Sequence, residues 1–546
     1  MRDSGGRAQA ERSPGPAVTG AAQAPAGGEG SPTVRGMYHL FLGNLAFTLL
    51  LAVTAIIVGR VLGPSGYGLY TVALIVPPFL FTAVRLGLDS AATRFAARLS
   101  SEGKGAEAVS FVHAMAVFGT VVAAAAAVGF LGLSGWIANT VVDRPELGGV
   151  VIPIALVSVL GQAAYNITDL GMTGLGRFGR SALLQALQGA VKLGASVGLV
   201  LLGYGVAGAV AGYTASFVVS GGIGLGYVAW LARGKLPVGA MAAVGMGVRY
   251  AFPICVAALV SGFVTPALYT VMALTGSNTQ IGGYAEAGMF NSLMALLTYP
   301  ITTTLFPLFS ANTLDRGSLG RTYQKAVAYT ALLVTPVAAF VMVFAGPLMV
   351  TIFGGAFAFA SPYLALFAAT NLLAGAGSLA WSALLNGVGR TRDALWTSAL
   401  GSAVSVATGA VLVGAVGAPG AIVGLTAGGA VSLGVSTRMV GRELGVWPRG
   451  GRLWRFYAAS GASAALSWPA SWLVPVPALA LGCGAVLFVL LLIPLLALLS
   501  ALDGAEVREL RGFLGFSPAI LRAFGVAVRY YEASSRAFRR GRAQPG

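Results

Sequence analysis

Met172-Thr-Gly-Leu-Gly-Arg-Phe-Gly-Arg180 returns in degenerate form as Leu385-Asn-Gly-Val-Gly-Arg-Thr-Arg392, so that Gly174 recurs as Gly387, 213 residues later. Two further pairs of motifs keep nearly the same offset. They are Gly205-Val-Ala-Gly-Ala-Val-Ala-Gly212 with Gly417-Ala-Pro-Gly-Ala-Ile-Val-Gly424, and Gly66-Tyr67 with Gly283-Tyr284. Three anchors at nearly one spacing predict that the chain is built from two copies of one unit.

The composition places both copies in a membrane, because 56% of the 546 residues are apolar and only 9% are charged. A helix of about 20 apolar residues crosses a hydrocarbon core of roughly 30 Å, and the apolar runs are continuous rather than alternating as in barrel strands. We predict an all-α polytopic membrane protein with about 14 transmembrane helices. The predicted spans are 38–59, 68–90, 108–132, 150–172, 181–203, 206–231, 246–273, 284–309, 325–345, 361–385, 393–415, 418–440, 455–474 and 477–501.

The repeat divides these spans into two six-helix pseudo-symmetric lobes plus two C-terminal helices. Because six is even, both lobes begin on the same side of the membrane and surround a central cavity, an arrangement typical of transporters. The predicted regions are a disordered cytoplasmic tail at 1–36, an N-lobe at 37–240, a C-lobe at 241–449, two final spans within 450–503 and a basic cytoplasmic tail at 504–546. For the basic tail, a helix at the lipid interface and a solvated segment both remain open.

The net charge of +17 indicates membrane orientation rather than nucleic-acid binding. With both termini in the cytoplasm, 30 of the 34 Lys and Arg residues fall on the cytoplasmic side. The outer side keeps Arg60 and Arg144, and the positive-inside rule therefore predicts this orientation in the cell membrane. Arg85 and Lys192 remain within predicted spans.

The chain lacks the residue patterns of an enzyme. His39 and His113 stand alone, without a zinc-protease pair, a nucleophile elbow or a phosphate-binding loop. Cys255 and Cys483 both fall in predicted spans and imply neither a disulfide framework nor a metal cluster. We expect no enzymatic activity, metal or cofactor.

Ionisable residues inside spans are costly and are therefore the first functional candidates. Arg85 and Asp89 lie four residues apart on the second span, where either a structural pair or a cavity role fits. Lys192 lies near the predicted midplane of the fifth span, either as an interhelical contact or as a cavity cation.

Polar stripes on the fourth and fifth spans are predicted to meet if the 173–180 connector forms an antiparallel hairpin. This hairpin pairs Asp169 with Gln185, Asn166 with Gln188 and Gln162 with Lys192.

The second half of the chain contains fewer candidates. Tyr269 and Asn291 are predicted to face the cavity, and Glu286 is placed near the outer interface. Solvation is the expected state of Glu286, and proton or cation binding is the alternative. Asp89, Asp169 and Glu286 are the candidates for ion coupling.

Val58-Gly-Arg-Val-Leu-Gly-Pro-Ser-Gly-Tyr-Gly-Leu-Tyr-Thr-Val-Ala73, followed by Leu86-Gly-Leu-Asp-Ser-Ala-Ala-Thr-Arg-Phe95, resembles the opening of polysaccharide-biosynthesis flippases. These proteins belong to the multidrug, oligosaccharidyl-lipid and polysaccharide exporter superfamily. The resemblance continues at Leu175-Gly-Arg177 and Asn386-Gly-Val-Gly-Arg390 and covers the chain except its tails. Drug exporters of that superfamily usually have twelve spans, so two additional spans favour the oligosaccharide-lipid branch.

The resemblance implies alternating access by two lobes and movement of a polyprenyl-pyrophosphate-linked oligosaccharide from the cytoplasmic to the outer leaflet. It also implies a cationic cavity lined by the first, second, seventh and eighth spans. In such a cavity Arg85 suits a pyrophosphate, because a guanidinium grips phosphate oxygens bidentately. Asn44 and Thr48 suit the sugar. The partners implied are the lipid-linked oligosaccharide and membrane lipids, and the protein is expected to act as a monomer.

Two other functions remain open. The first is export of a drug or metabolite by the same superfamily, coupled to H⁺ or Na⁺. The second is a membrane glycosyltransferase or polymerase that uses the same lipid donors. The outer loops are too short to favour this enzyme, because the longest, 133–149 and 346–360, contain only about fifteen residues each.

Overall fold

The computed structural model describes residues 32–233, 240–311, 316–445, 447, 450–501, 525, 528–534 and 536. Every regular element among these residues is helical, as the sequence predicts. The predicted N-terminal tail up to residue 31 and most of the predicted basic C-terminal tail lie outside the described residues.

The helices of the first half of the chain are α1 (Pro32–Ala73), α2 (Val76–Val84), α3 (Leu88–Ser101), α4 (Gly105–Leu131), α5 (Ser134–Trp136), α6 (Val151–Gly174), α7 (Phe178–Leu199) and α8 (Gly205–Leu231). Short 3-10 or π-helical segments occupy Ile137–Val141, Pro145–Leu147 and Val200–Tyr204.

The second half contains α9 (Ala240–Gly262), α10 (Val264–Thr275), α11 (Asn278–Ala311), α12 (Arg316–Val343), α13 (Ala345–Phe353), α14 (Ser361–Leu373), α15 (Leu379–Gly387), α16 (Thr391–Val416) and α17 (Ala418–Leu444). It is followed by α18 (Gly450–Ser467), α19 (Ala470–Leu473) and α20 (Pro477–Leu498). Short segments at Gly355–Ala360 and Ala374–Ser378 complete the helical elements.

Ten stretches of the described helices are long and apolar enough to cross a membrane. Two of them, Tyr38–Val84 with 47 residues and Phe178–Leu231 with 54, are about twice as long as one crossing needs. The first stretch is broken at Gly63, whose φ is 68°, and the second at Gly203, whose φ is 93°. The chain is therefore a multi-pass membrane protein, while the count of 14 spans stays a prediction.

The predicted second span, 68–90, is not one continuous helix. The chain turns after α2, because Leu86 and Gly87 adopt left-handed φ values of 50° and 69°, which no α-helix can continue through. The break falls between Arg85 and Asp89, so this pair joins the end of α2 to the first turn of α3.

The repeated glycine motif forms the same turn in both halves. After α6, Gly176 has a φ of 72° and the Arg177 N–H donates to the Met172 carbonyl at 2.9 Å. After α15, Gly389 has a φ of 84°. The equivalent hydrogen bond, whose donor and acceptor each lie 213 residues later in the chain than those of the first, measures 2.8 Å. A left-handed glycine with this bond is the usual end of an α-helix.

The helices that follow these turns also pack alike. Gly212 on α8 lies so close to the backbone of Ser196 on α7 that a methyl group there would overlap it. Gly424 on α17 makes the equivalent approach to Gly409 on α16, at nearly the same offset along the chain. Small residues thus let both pairs, α7 with α8 and α16 with α17, pack backbone against backbone.

The two halves meet where α1 packs along α11, and we call this contact the seam. Near one end of the seam, Gly68 lies against the Asn278 carbonyl and Gly282 lies against the Pro64 carbonyl. A side chain at either glycine would overlap backbone atoms of the other helix. The seam is therefore closed at this end of the bundle.

Candidate functional site

A cavity of about 480 Å³ lies between α1, α7 and α11. It is lined mainly by apolar side chains, with a small number of polar groups, as is typical of ligand-binding cavities. The lining residues are Asn44, Phe47, Thr48, Leu51, Ala52, Ala55, Tyr67, Lys192, Met289, Ser292, Leu293, Ala295 and Leu296. The cavity brings together three predicted substrate-binding residues, Asn44, Thr48 and Lys192.

Helical periodicity explains why these residues share the cavity. On α1, Asn44, Thr48, Leu51 and Ala55 follow one another at intervals of four, three and four residues, so they lie on one helix face. On α11, the lining residues 289, 292 and 296 keep the same spacing. This face of α11 is not among the sequence predictions, although the same helical spacing is present in the sequence.

Lys192 carries the only charge among the described residues that line the cavity. Its Nζ lies 5.1 Å from the ring centroid of Tyr213 on α8, a distance at which the ring face attracts a cation. The Thr48 hydroxyl donates to the Asn44 carbonyl of its own helix at 2.8 Å. A hydroxyl that donates in this way keeps an oxygen lone pair to accept a further hydrogen bond.

The connector between α6 and α7 forms one of the predicted pairs. The Gln185 Nε2 donates to the Asp169 carboxylate at 3.1 Å, and the Ser181 hydroxyl donates to the same carboxylate. Asp169 is therefore buried with two hydrogen-bond donors.

The structure does not form the other two predicted pairs. Asn166 donates instead to the Gln162 carbonyl at 2.9 Å, and Gln188 donates to the Ser216 hydroxyl at 3.0 Å. The physical reason is that α8 packs along both α6 and α7 and separates these helices beyond their connector.

Arg85 and Asp89 form an ion pair with 2.8 Å between Nη1 and Oδ2. The Asp89 side chain is 5% exposed and the Arg85 side chain 25% exposed, and Arg85 also lies against the Phe81 ring. Neither residue belongs to the cavity lining. Of the two roles that the sequence leaves open for these residues, this geometry fits a structural ion pair better than a role in the cavity.

Tyr269 and Asn291, the predicted cavity residues of the second half, also lie outside the lining. Tyr269 packs edge-on against the ring of Tyr284, with 5.2 Å between centroids. The Asn371 amide donates to the Asn291 Oδ1 at 2.7 Å, which links α14 to α11. Tyr67 lines the cavity although it is not among the predicted site residues.

Glu286 differs most from its sequence expectation. Solvation was expected, but the residue is only 1% exposed and is packed against Gly59 of α1 within the seam. Neither carboxylate oxygen has a hydrogen-bond partner among the described residues. The solvated placement is therefore wrong, because α1 covers this face of α11.

Two arginines bind the halves together at the closed end. Arg60 of α1 donates to the Ile352 carbonyl at 2.8 Å and to the Thr351 carbonyl at 2.5 Å. Arg144 donates to the Asn278 Oδ1 at 2.7 Å and to a second carbonyl nearby at 3.1 Å. These are the two arginines that the charge pattern assigned to the outer side.

The sequence matches the model of a protein family described as polysaccharide biosynthesis protein, over residues 57–362. The match covers more than half of the chain and includes the C-terminal part of α1, the Arg85 to Asp89 turn, α7 with Lys192, and the seam residues of α11. The chain belongs to this family. A search of curated proteins finds none with significant similarity.

Solved structures show the fold of this family member at low sequence identity. A lipid II flippase, MurJ in an inward closed conformation, aligns with a TM-score of 0.67 and 14% identity, over 84% of this chain and 98% of that one. An inward-facing multidrug resistance MATE family transporter of the MOP superfamily aligns with a TM-score of 0.61 and 19% identity, over 74% and 98%. A MOP superfamily transporter from Pyrococcus furiosus aligns with a TM-score of 0.55 and 17% identity, over 76% and 96%.

Proposed function

We propose that this member of the polysaccharide biosynthesis family is a flippase that moves a polyprenyl-pyrophosphate-linked oligosaccharide between membrane leaflets by alternating access. The observation that carries the proposal is the cavity between the two halves, where one cation and a small set of hydrogen-bonding groups face the same space. The family match and the fold shared with a lipid II flippase support the same class of substrate.

The cavity chemistry suits the two parts of such a headgroup. A pyrophosphate is an anion, and Lys192 offers an ammonium with three donors that is half-buried and therefore less screened than in water. Asn44, Thr48 and Ser292 offer hydrogen-bonding groups for sugar hydroxyls. The volume of about 480 Å³ lies within the usual range of ligand cavities, roughly 300 to 1,000 Å³.

The closed seam identifies the side of the membrane to which the cavity is closed in this state. The positive-inside rule puts Arg60 and Arg144, and hence the closed end, on the outer face, with both termini in the cytoplasm of the cell. The substrate then enters from the cytoplasmic leaflet and leaves after the seam opens. The cavity and the seam are built from a single chain, so a monomer contains the whole pathway.

Transport of fluorescent lipid-linked glycans in proteoliposomes tests the proposal. A panel of polyprenyl-pyrophosphate glycans is incorporated, and a membrane-impermeant quencher measures how fast each one changes leaflet. We expect translocation of at least one glycan that depends on the protein. Equal rates with and without the protein, across the whole panel, would contradict the proposal.

Ion-coupled export of a drug or metabolite is the second candidate. The fold shared with MATE family transporters and the buried carboxylate of Glu286 favour it. Of the three carboxylates predicted to couple an ion, Asp89 and Asp169 are already bound by protein groups, whereas Glu286 has no hydrogen-bond partner in the part of the chain that the structure describes. Efflux that depends on an ion gradient, without translocation of any glycan, would support this candidate instead.

A further inference from the structure

The seam encloses an acidic group that has no hydrogen-bond partner among the described residues. Glu286 lies in the first third of α11, between the cavity residue Met289 and the tight glycine contacts of the closed end. A methyl group at Gly59 would overlap the Glu286 carboxylate, so α1 lies directly on this side chain. With 1% of its surface exposed, Glu286 is sealed between the halves.

Among the described residues around Glu286, no positive charge balances its carboxylate. The titratable groups that face it are Tyr67 and Tyr70 from α1 and Tyr269 from α10. Among the described residues, no hydrogen-bond donor and no cation contacts either of its oxygens. A buried carboxylate in these surroundings is stable only in its neutral form, because burying the ion without a partner costs several kcal/mol.

The remaining polar contacts of the closed end do not respond to pH in the same way. Arg60 and Arg144 donate to backbone carbonyls and to the side-chain oxygen of Asn278. A guanidinium stays charged at every physiological pH, and these acceptors do not titrate. The Asp143 carboxylate, 3.9 Å from Arg144, is 60% exposed and belongs to the same half as that arginine. Among the described groups buried in the seam, Glu286 is therefore the one carboxylate whose charge can change with pH.

We propose that Glu286 is a proton-binding site of the seam, occupied when the seam is closed and emptied when the seam opens. Opening brings water to the carboxylate, which then releases its proton, and closing requires the proton to return. By linkage, a low proton concentration favours the open seam and a high one favours the closed seam. The proposal rests on the proposed function only in treating the seam as the outer gate of the cavity.

Spin-label distances across the closed end test this coupling without any glycan. Cysteines replace the exposed residues Thr140 and Ala356, which belong to opposite halves, in a background in which Cys255 and Cys483 are alanine. Electron–electron resonance then measures the distance distribution from acidic to alkaline pH. We expect longer distances to gain population as the pH rises. Glu286→Gln should keep the short distances at every pH, while Glu286→Asp should retain the response.

Infrared spectroscopy measures the proton itself. At a pH above the ordinary pKa of exposed carboxyls, roughly 4, the closed protein should show a protonated carboxyl band that Glu286→Gln removes and that the control Asp169→Asn leaves in place. The proposal is overturned if Glu286→Gln removes no such band, if its distances respond to pH as before, or if no variant responds. A response that appears only with Na⁺, and not with choline, also overturns it. Because no glycan is used, failure of glycan transport and failure of the proton site are separate results.

Discussion

Replacing Gly212 by alanine tests whether the repeat determines how the helices pack. The new methyl group would overlap backbone atoms of Ser196, so α7 and α8 must move apart. Overpacking of this kind costs about 1 to 3 kcal/mol, and alanine regains about 1 kcal/mol in helix propensity. The net expectation is a loss of up to about 2 kcal/mol in the free energy of unfolding.

Gly222 on the same helix is the matched control. It is exposed, and no atom lies within 4 Å of the position a methyl group would take. Gly222→Ala should therefore stabilise the protein by about 0.5 to 1 kcal/mol. The two variants make the same chemical change on one helix and gain the same helix propensity, so their free energies of unfolding should differ by the overpacking cost alone, roughly 1 to 3 kcal/mol.

The same pair of substitutions can be made in the second half of the chain. Gly424→Ala should destabilise like Gly212→Ala, because a methyl group there would overlap Gly409. Gly434→Ala, at an exposed position with open space, should behave like Gly222→Ala.

Reaction of a fluorogenic thiol reagent with Cys255 measures unfolding, since this cysteine is buried in the folded protein. Cys483 is exposed and is first replaced by alanine. We expect Gly212→Ala and Gly424→Ala to lower the midpoint temperature by a few degrees relative to their controls. Equal midpoints for all four variants would refute the reasoning from the repeat.

Three further predictions concern contacts outside the cavity. Arg144→Met removes two hydrogen bonds between the halves. Each is worth about 1.5 to 3 kcal/mol, because the donor is charged. Spin labels across the seam should therefore report a larger fraction of open protein at every pH. Unchanged distances would contradict this. Arg85→Ala leaves the buried Asp89 without its ion-pair partner and should lower the unfolding midpoint temperature. The double variant Arg85→Ala/Asp89→Ala should restore the midpoint. A double variant no more stable than Arg85→Ala would contradict this prediction. Asp169→Asn should destabilise by about 1 to 2 kcal/mol, because an amide hydrogen then faces a donor, while glycan transport continues; loss of transport in folded protein would contradict this.

Local sequence patterns predicted the parts of the fold that depend on local interactions. Gly176 and Gly389 could be predicted as equivalent turns, because a left-handed glycine at a helix end leaves a recognisable motif. Lys192 could be predicted as a candidate because the cost of a charge in the membrane is visible in the sequence, whereas Asn44 and Thr48 were expected from the family resemblance. The structure places all three at one cavity, and their role in binding stays a prediction.

The predictions failed where a helix that is distant in the sequence determines the surroundings of a residue. The pairing of Asn166 with Gln188 failed because α8, which begins after both residues, separates their helices. Glu286 was expected in solvent, but α1, more than 200 residues earlier in the sequence, covers it. No local pattern shows either contact, nor that Arg60 and Arg144 join the two halves.

The most direct test of the central claim is glycan translocation by Lys192 variants in proteoliposomes. Lys192→Met removes the charge of the cavity and should slow translocation about 10- to 100-fold, given roughly 1.5 to 3 kcal/mol for a hydrogen bond to a charged group. Lys192→Arg, which keeps the charge, should retain most of the rate, and Lys104→Met, at an exposed loop position, should retain all of it. Translocation by Lys192→Met at the rate of the unchanged protein would contradict the assignment of this cavity to the pyrophosphate headgroup.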